Sequence, residues 1–120
     1  MQILLNIGNT HTQIAKTTAN GQPELLAQVD SPAVIAAQGA VAVLDALPAG
    51  WRGLAVSVVP ALTRLLHNRY GDALRFLAPA DFPQLDFQRV DTSTLGMDRI
   101  ANAAAAHALA GRAVVVVDCG

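Results

Sequence analysis

The stretch LLNIGNT, residues 4–10, is an apolar run that stops abruptly at a Gly-Asn-Thr turn. The pattern predicts a β-strand over residues 2–7 and a second over residues 12–17, joined by a tight turn at Gly8-Asn9. The first strand is apolar apart from Asn6, so we expect it to be buried. Asn20-Gly21 is a strong hairpin signal and predicts a third strand near residues 25–29. Three strands joined by short turns form an antiparallel meander.

Helix and strand signals alternate over the rest of the chain. Ser31-Pro32 has the pattern of an N-cap followed by proline at the first helical position, and it predicts a helix to about Leu47. The pattern that follows predicts a buried strand over residues 54–59, a helix over residues 60–70 capped by Gly71, and a short strand over residues 75–78. It then predicts a long loop over residues 79–97, an alanine-rich helix over residues 98–110 closed by Gly111, and a last strand over residues 113–117.

The order of these elements predicts an α/β fold of the ribonuclease-H-like (actin-like ATPase) type. Such a fold has a mixed sheet with three N-terminal antiparallel strands and helices packed on it. The last strand is one too many for that fold. We therefore expect residues 1–112 to form the N-terminal domain and residues 113–120 to begin a second domain.

The composition excludes several classes of protein. Apolar residues make up 52% of the chain and charged residues 14%, so disorder is not expected. The net charge is −1 and Lys16 is the sole lysine, so we expect no nucleic-acid partner. The apolar runs are too short to cross a bilayer, so no membrane partner is expected. A single cysteine, Cys119, fits a reducing compartment and predicts a cytoplasmic location.

The two ends of the chain carry similar motifs. ILLNIG, residues 3–8, is an apolar strand followed by Asn-x-Gly, and VVVVDCG, residues 114–120, is an apolar strand followed by Asp-x-Gly. A duplicated phosphotransferase fold would show this repeat, with each domain donating one hairpin turn to the phosphates of ATP. Glycine in such a turn lets backbone N–H groups approach an anion.

The segment TLGMDRIANAAAAHALAG, residues 94–111, resembles the Gly-x-Asp-Arg segment and following helix of type III pantothenate kinases. These enzymes are members of the actin/hexokinase/Hsp70 superfamily. NIGNT, residues 6–10, resembles their first phosphate motif, Asp-x-Gly-Asn-Thr, with Asn6 in place of the aspartate. SVVP at residues 57–60 is similar to another family landmark, and VVVVDCG resembles the start of the second phosphate motif.

The resemblance implies an activity and its partners. The full-length protein is expected to use ATP to phosphorylate the hydroxyl of pantothenate, giving 4'-phosphopantothenate in coenzyme A biosynthesis. Mg²⁺ and a monovalent cation, K⁺ or NH₄⁺, are implied as cofactors, and a homodimer is implied as the assembly. The 120-residue chain alone is expected to be inactive, because the phosphate contacts of the second domain are missing.

The resemblance also implies roles for particular residues. Asp98 becomes the general base, and Asp118 lies at the cation site. The expected pantothenate contacts are Gly96, Met97, Asp98 and Arg99. The residues expected to line the ATP phosphates are Asn6, Ile7, Gly8, Asn9, Thr10, His11, Thr12 and Gln13.

The residues themselves leave alternatives open. Asp98 begins a predicted helix, where the dipole favours a charged carboxylate that can accept a proton; it is equally an ordinary N-cap or first-turn residue. Arg99 is suited to bind a carboxylate through two hydrogen bonds, or to form an exposed salt bridge. Gly8-Asn9-Thr10 is a phosphate-binding turn or an ordinary hairpin turn. Asp118 is a cation ligand or a turn residue at the end of a strand.

Two hypotheses of different classes follow for the protein as a whole. The first is a pantothenate kinase. The second is a catalytically weakened or non-catalytic relative that acts as a binding or regulatory protein. Asn6 favours the second hypothesis, because Mg²⁺ prefers carboxylates and water as ligands. The presence of Asp98, Arg99 and Asp118 favours the first.

Overall fold

The computed structural model of the protein describes residues 2–88, 90–91 and 95–111. The predicted last strand, the predicted domain boundary at residue 112 and Asp118 lie outside these residues, and the expectations for them stay predictions. The chain divides into two compact units, Met1–Phe76 and Leu77–Gly120.

The first unit is built on a five-stranded mixed sheet. Its strands are β1 (Ile3–Ile7), β2 (His11–Thr17), β3 (Pro23–Asp30), β4 (Gly53–Ser57) and β5 (Leu74–Phe76). The strand order is β3-β2-β1-β4-β5. β1, β2 and β3 form the antiparallel meander that the turn signals predict, while β4 runs parallel to β1 and β5 runs parallel to β4.

One face of this sheet packs against three helices, α1 (Ser31–Ala36), α2 (Ala42–Asp45) and α3 (Pro60–Tyr70). Alternate residues of a strand point to opposite faces, so the buried side chains of β1 are those at every second position. The buried cluster consists of Ile3, Leu5, Ile7, Ile14, Val34, Val41, Leu44, Ala55, Leu62, Leu66 and Leu74. Burial of β1 is thus one-sided, and Asn6 is exposed on the other face.

The single helix predicted over residues 31–47 is wrong, because the chain leaves the helical conformation between α1 and α2. Gln38 has φ of 57° and Gly39 has φ of 87°. The Gly39 N–H donates to the Val34 carbonyl at 2.9 Å, which closes α1 with a Schellman-type bond. A Cβ on Gly39 would lie 3.0 Å from the Leu65 carbonyl oxygen, so this turn packs directly on the backbone of α3.

Ser31 is not the N-cap that the sequence predicts. The N-cap of α1 is Asp30, which makes no side-chain cap hydrogen bond, and Ser31 is the first residue of the helix. The Ser31 side chain is completely buried. Its hydroxyl bonds to the turn between β1 and β2 rather than to its own helix.

The second unit contains α4 (Met97–Ala110), which ends at Gly111 as predicted. The long loop before it is not wholly irregular, because Pro79–Asp81 forms a turn of 3₁₀-helix. The Asp81 side chain accepts a hydrogen bond from the Ala78 N–H at 2.7 Å and closes the start of this turn. α4 begins one residue earlier than predicted, and Gly96 is its N-cap.

Candidate active site

The turn between β1 and β2 is a short hairpin loop. The Gly8 N–H donates to the His11 carbonyl at 2.9 Å, which leaves Asn9 and Thr10 as the two loop residues. Neither has positive φ, since Gln38 is the sole non-glycine residue with positive φ in the described part of the chain. The loop is therefore not one of the primed turns that usually join two strands. A Cβ on Gly8 would lie 3.2 Å from the His11 carbonyl oxygen, so glycine also permits the close approach of the two strand ends.

The loop presents hydrogen-bond donors that are not bonded to any acceptor within the described residues. Asn9 and Thr10 are both exposed. Within residues 2–88, 90–91 and 95–111, the N–H groups and the side chains of Asn9 and Thr10 have no hydrogen-bond partner. Unpartnered backbone N–H groups in a turn are suited to bind an anion such as a phosphate. Because the Asn9 amide and the Thr10 hydroxyl add side-chain donors, the loop can offer four donor groups at one place.

The carbonyl groups of the same loop are held by Ser31. The Ser31 hydroxyl donates to the Gly8 carbonyl oxygen over 2.6 Å, and the Ser31 N–H donates to the Thr10 carbonyl oxygen over 2.9 Å. The Thr12 hydroxyl lies 2.9 Å from the Ser31 hydroxyl, and Thr12 is only 1% exposed. Sequence reasoning missed this role of Ser31, because Ser-Pro before a helix is such a common capping pattern that it conceals other uses of the serine.

A row of side-chain amides crosses the open face of the sheet beside the loop. Asn6 on β1 faces Gln13 on β2, and Gln13 faces Gln28 on β3. The Asn6 amide donates to Gln13 Oε1 at 3.3 Å, and the Gln13 amide donates to Gln28 Oε1 at 3.2 Å. Gln28 was not among the residues that the sequence singled out. Its position opposite Gln13 depends on the register between β2 and β3.

The eight residues expected to line the ATP phosphates thus fall into three groups. Asn9 and Thr10 are the two loop residues, and Gly8 and His11 flank them. Asn6 and Gln13 lie on the open face of the sheet, and Ile7 and Thr12 have buried side chains that face the core. Ile7 is 0% exposed and Thr12 is 1% exposed, so a ligand at the loop does not reach either residue directly.

Asp98 lies in the first turn of α4, after the N-cap Gly96. It is therefore a first-turn residue and not an N-cap. One carboxylate oxygen of Asp98 accepts a hydrogen bond from the Arg99 N–H at 2.8 Å. The second carboxylate oxygen has no described partner among the hydrogen bonds of this unit, and it is the atom suited to accept a proton.

Arg99 is exposed and lines a cavity of about 300 Å³ within the second unit. The walls are mainly apolar, with Arg99, Asp86 and Asn102 as the polar residues. The other lining residues are Leu85, Phe87, Val90, Leu95, Ile100 and Ala103. An apolar cavity with a guanidinium at its wall suits a small organic acid, because the cation can bind the carboxylate while the walls contact the carbon chain.

The described residues do not by themselves make a Mg²⁺ site. No group of three or more His, Cys, Asp or Glu side chains within the described ranges is placed to hold a metal ion. At the end of β1 the available ligand is the neutral amide of Asn6, whereas Mg²⁺ prefers carboxylates and water. Asp118, the expected cation ligand, lies outside the described residues.

None of the helices in the described ranges has both the length and the apolar character needed to cross a bilayer.

The fold and the loop together define an α/β protein that presents free backbone N–H groups at the end of its first strand, a common arrangement for binding phosphates. Comparison with protein families then gives a closer identification. The family model of type III pantothenate kinase matches residues 2–120, so the chain belongs to the type III pantothenate kinase family, which is a family of kinases. The resemblance seen in residues 6–10 and 94–111 is thereby confirmed. No curated protein matches the chain.

Proposed function

We propose that the full-length protein is a pantothenate kinase, which transfers the terminal phosphoryl group of ATP to the hydroxyl of pantothenate. The observation that carries this proposal is the match of the type III pantothenate kinase family model to residues 2–120. The products are 4'-phosphopantothenate and ADP, and a general base accepts the hydroxyl proton of pantothenate. The reaction contributes to coenzyme A biosynthesis.

The hairpin loop is the proposed contact for the ATP phosphates. Its support is the set of unpartnered donors on Asn9 and Thr10, which suits the negative charge of a phosphate chain. Phosphoryl transfer needs positioning and neutralisation of charge more than it needs covalent chemistry from the protein. Fixed N–H donors help to position the phosphates and to neutralise part of their negative charge.

Asp98 is the proposed general base. Support comes from its place in the first turn of α4 and from the carboxylate oxygen that the Arg99 N–H leaves open. Arg99 is the proposed contact for the carboxylate of pantothenate, and the cavity that it lines would hold the rest of the substrate. Gly96 and Met97 would contribute through the backbone at the start of the same helix.

The remaining expectations of the resemblance are proposals as well. The strand order β3-β2-β1-β4-β5, with three antiparallel strands followed by parallel ones, supports a ribonuclease-H-like domain of the actin-like ATPase type. A homodimer, Mg²⁺, a monovalent cation at Asp118 and a cytoplasmic location are carried over from the family and the composition. Mg²⁺, where bound, would neutralise phosphate charge, with ligands beyond those that the described residues supply.

A second candidate function is a non-catalytic relative that binds ATP and pantothenate without turnover. The observation in its favour is the neutral Asn6 where the family's phosphate motif has aspartate. Both candidates predict binding of the two ligands, and they differ in the product.

The test uses purified full-length protein with ATP, Mg²⁺, K⁺ and pantothenate. Formation of 4'-phosphopantothenate is followed by mass spectrometry, and binding of ATP and pantothenate is measured separately by calorimetry. Product formation that depends on pantothenate supports the kinase. Binding of both ligands without product supports the non-catalytic relative, and failure to bind either ligand overturns both proposals.

A further inference from the structure

Ser31 contacts both ends of the hairpin loop from the first residue of α1. Its hydroxyl donates to the Gly8 carbonyl at 2.6 Å, and its N–H donates to the Thr10 carbonyl at 2.9 Å. Ser31 is 0% exposed and lies 23 positions after Gly8 in the chain. One buried residue from a distant part of the sequence therefore fixes the two carbonyl groups on either side of Asn9.

The direction of the hydrogen bonds follows from counting protons. The single hydroxyl proton of Ser31 is used in the bond to Gly8, because a carbonyl oxygen can only accept. The contact of 2.9 Å between the Ser31 and Thr12 hydroxyls therefore has Thr12 as the donor. The result is a series of two hydrogen bonds, a buried one from Thr12 to Ser31 and a partly buried one from Ser31 to Gly8. Such bonds are shielded from water and constrain the groups that they join.

The planarity of the peptide bond connects this series to the surface of the loop. The carbonyl of Gly8 and the N–H of Asn9 belong to one trans peptide group and point in opposite directions. A Gly8 carbonyl held toward the buried Ser31 hydroxyl turns the Asn9 N–H away from the interior. The unpartnered Asn9 N–H is thus oriented outward before any ligand arrives.

We propose that Ser31 is a positioning residue for the phosphate-binding loop, and that Thr12 supports it from the core. This inference rests on the proposed binding of ATP at the loop. Ser31 does not touch the ligand; it fixes the direction of the Asn9 N–H. Because this donor is already oriented, little conformational entropy is lost when a phosphate binds to it. Thr12, expected from the sequence to line the phosphates, acts through Ser31 because its own hydroxyl is buried.

The test compares Ser31→Ala and Thr12→Val with a control, Tyr70→Phe. Tyr70 also uses a partly buried hydroxyl to accept a backbone N–H, that of Val41 at 3.1 Å. Its ring packs on Trp51, which precedes β4 at the end of the sheet opposite the loop. The control therefore removes a comparable hydroxyl without touching the loop.

In the full-length protein, ATP affinity is measured by calorimetry, and the Asn9 and Thr10 amides are followed by NMR during titration with ATP. We expect Ser31→Ala to weaken ATP binding about tenfold and Thr12→Val about threefold, the scale of losing one direct and one supporting hydrogen bond. The NMR order parameter of the Asn9 amide should fall in both variants. Pantothenate affinity should stay within about twofold, and Tyr70→Phe should bind ATP normally. Thr12→Ser should recover most of the affinity lost in Thr12→Val.

The outcomes separate this inference from the function on which it rests. If Ser31→Ala and Thr12→Val bind ATP as tightly as Tyr70→Phe does, Ser31 is a structural residue only, while ATP binding by the protein stands. If the Asn9 and Thr10 amides of the unmodified protein do not respond to ATP, the loop is not the phosphate site. That result overturns both the proposed ATP contact at the loop and the positioning role of Ser31. Should Ser31→Ala fail to fold, the nearly isosteric Thr12→Val with its Thr12→Ser partner decides the question.

Discussion

The Asn6 side-chain amide donates a hydrogen bond to Gln13 Oε1 across the paired strands β1 and β2, over 3.3 Å. Gln13 in turn donates to Gln28 on β3. The Asn6 amide is thus held by neighbouring strands on the open face of the sheet, and it does not cap the turn that follows it. Because this face is exposed, a charge at position 6 keeps most of its hydration.

The first prediction concerns the substitution Asn6→Asp. We expect the full-length variant to need less Mg²⁺ than the unmodified protein and to turn over faster, since a carboxylate attracts a divalent cation more strongly than an amide dipole does. The free energy of unfolding should barely change, because the Gln13 amide can rotate and donate to the new carboxylate. Kinase rates across a Mg²⁺ titration, with thermal melts of both proteins, measure the two effects.

Gln28→Glu is the matched control for that substitution. It adds the same negative charge to the same face of the sheet, at the far end of the amide row. A shift in the Mg²⁺ requirement that appears equally in both variants would reflect net charge alone. An Asn6→Asp protein whose rate at every Mg²⁺ concentration equals that of the unmodified protein would show that position 6 is not on the metal side of the site.

The second prediction concerns the proposed base. Asp98→Asn in the full-length protein should lower kcat on the order of a hundredfold, the scale for losing a general base. The affinities for ATP and pantothenate should fall much less, because the amide keeps the shape of the side chain. Asp72→Asn is the control, since Asp72 is an exposed carboxylate in the turn after α3. Equal kcat for Asp98→Asn and Asp72→Asn would make Asp98 a first-turn residue without a catalytic role.

The third prediction separates backbone strain from steric contact. Gly39 and Gly50 both have φ of 87°, but a Cβ at Gly50 has no neighbour within 4 Å, whereas at Gly39 it would meet the Leu65 backbone at 3.0 Å. Alanine at either position should cost about 1–2 kcal/mol for the left-handed backbone. Gly39→Ala should cost roughly 1–3 kcal/mol more, because α1 and α3 must move apart.

Urea denaturation of the two alanine variants measures this difference directly. The slope of the unfolding free energy with urea should be the same for both, since each leaves the extent of the folded structure intact. Equal stabilities for Gly39→Ala and Gly50→Ala would mean that the turn is free to shift away from Leu65.

The fourth prediction concerns alkaline pH. Tyr70 donates to Asp45 Oδ1 at 2.9 Å and accepts from the Val41 N–H, and Arg69 binds Asp45 through two hydrogen bonds. Burial is the main cause that raises the pKa of the Tyr70 hydroxyl. A pKa that is higher in the folded state contributes stability below the unfolded value of about 10, and this contribution is lost as pH rises through the folded value.

This behaviour is checked by thermal melts of the unmodified protein and of Tyr70→Phe between about pH 8 and about pH 11, a range that spans the ordinary tyrosine pKa of about 10. The unmodified protein should lose its advantage in Tm over Tyr70→Phe once the pH passes about 10. A difference in Tm that stays constant over the whole range would show that the pKa of Tyr70 is the same in the folded and unfolded states. Arg69→Gln should retain the alkaline loss, because the hydroxyl of Tyr70 stays partly buried when that exposed guanidinium is removed.

Local signals in the sequence determined the parts of the molecule whose conformation depends on neighbouring residues. Proline at residue 60 and glycine at residue 71 bounded α3, and glycine at residue 111 ended α4. The Gly-Asn-Thr turn and the Asn-Gly turn fixed the antiparallel meander. The motifs at residues 6–10 and 94–111 were sufficient to point to the family.

Tertiary structure alone decided the contacts between residues that are far apart in the chain. The helix predicted over residues 31–47 ends at Ala36, and the turn that follows packs Gly39 against the backbone of α3. No pattern within that segment records the position of α3. Ser31 holds Gly8, and Gln28 ends the amide row from Asn6, because strand pairing brings these residues together. A single sequence carries the preferences of each element, whereas the partner of a buried hydroxyl is fixed only when the elements pack.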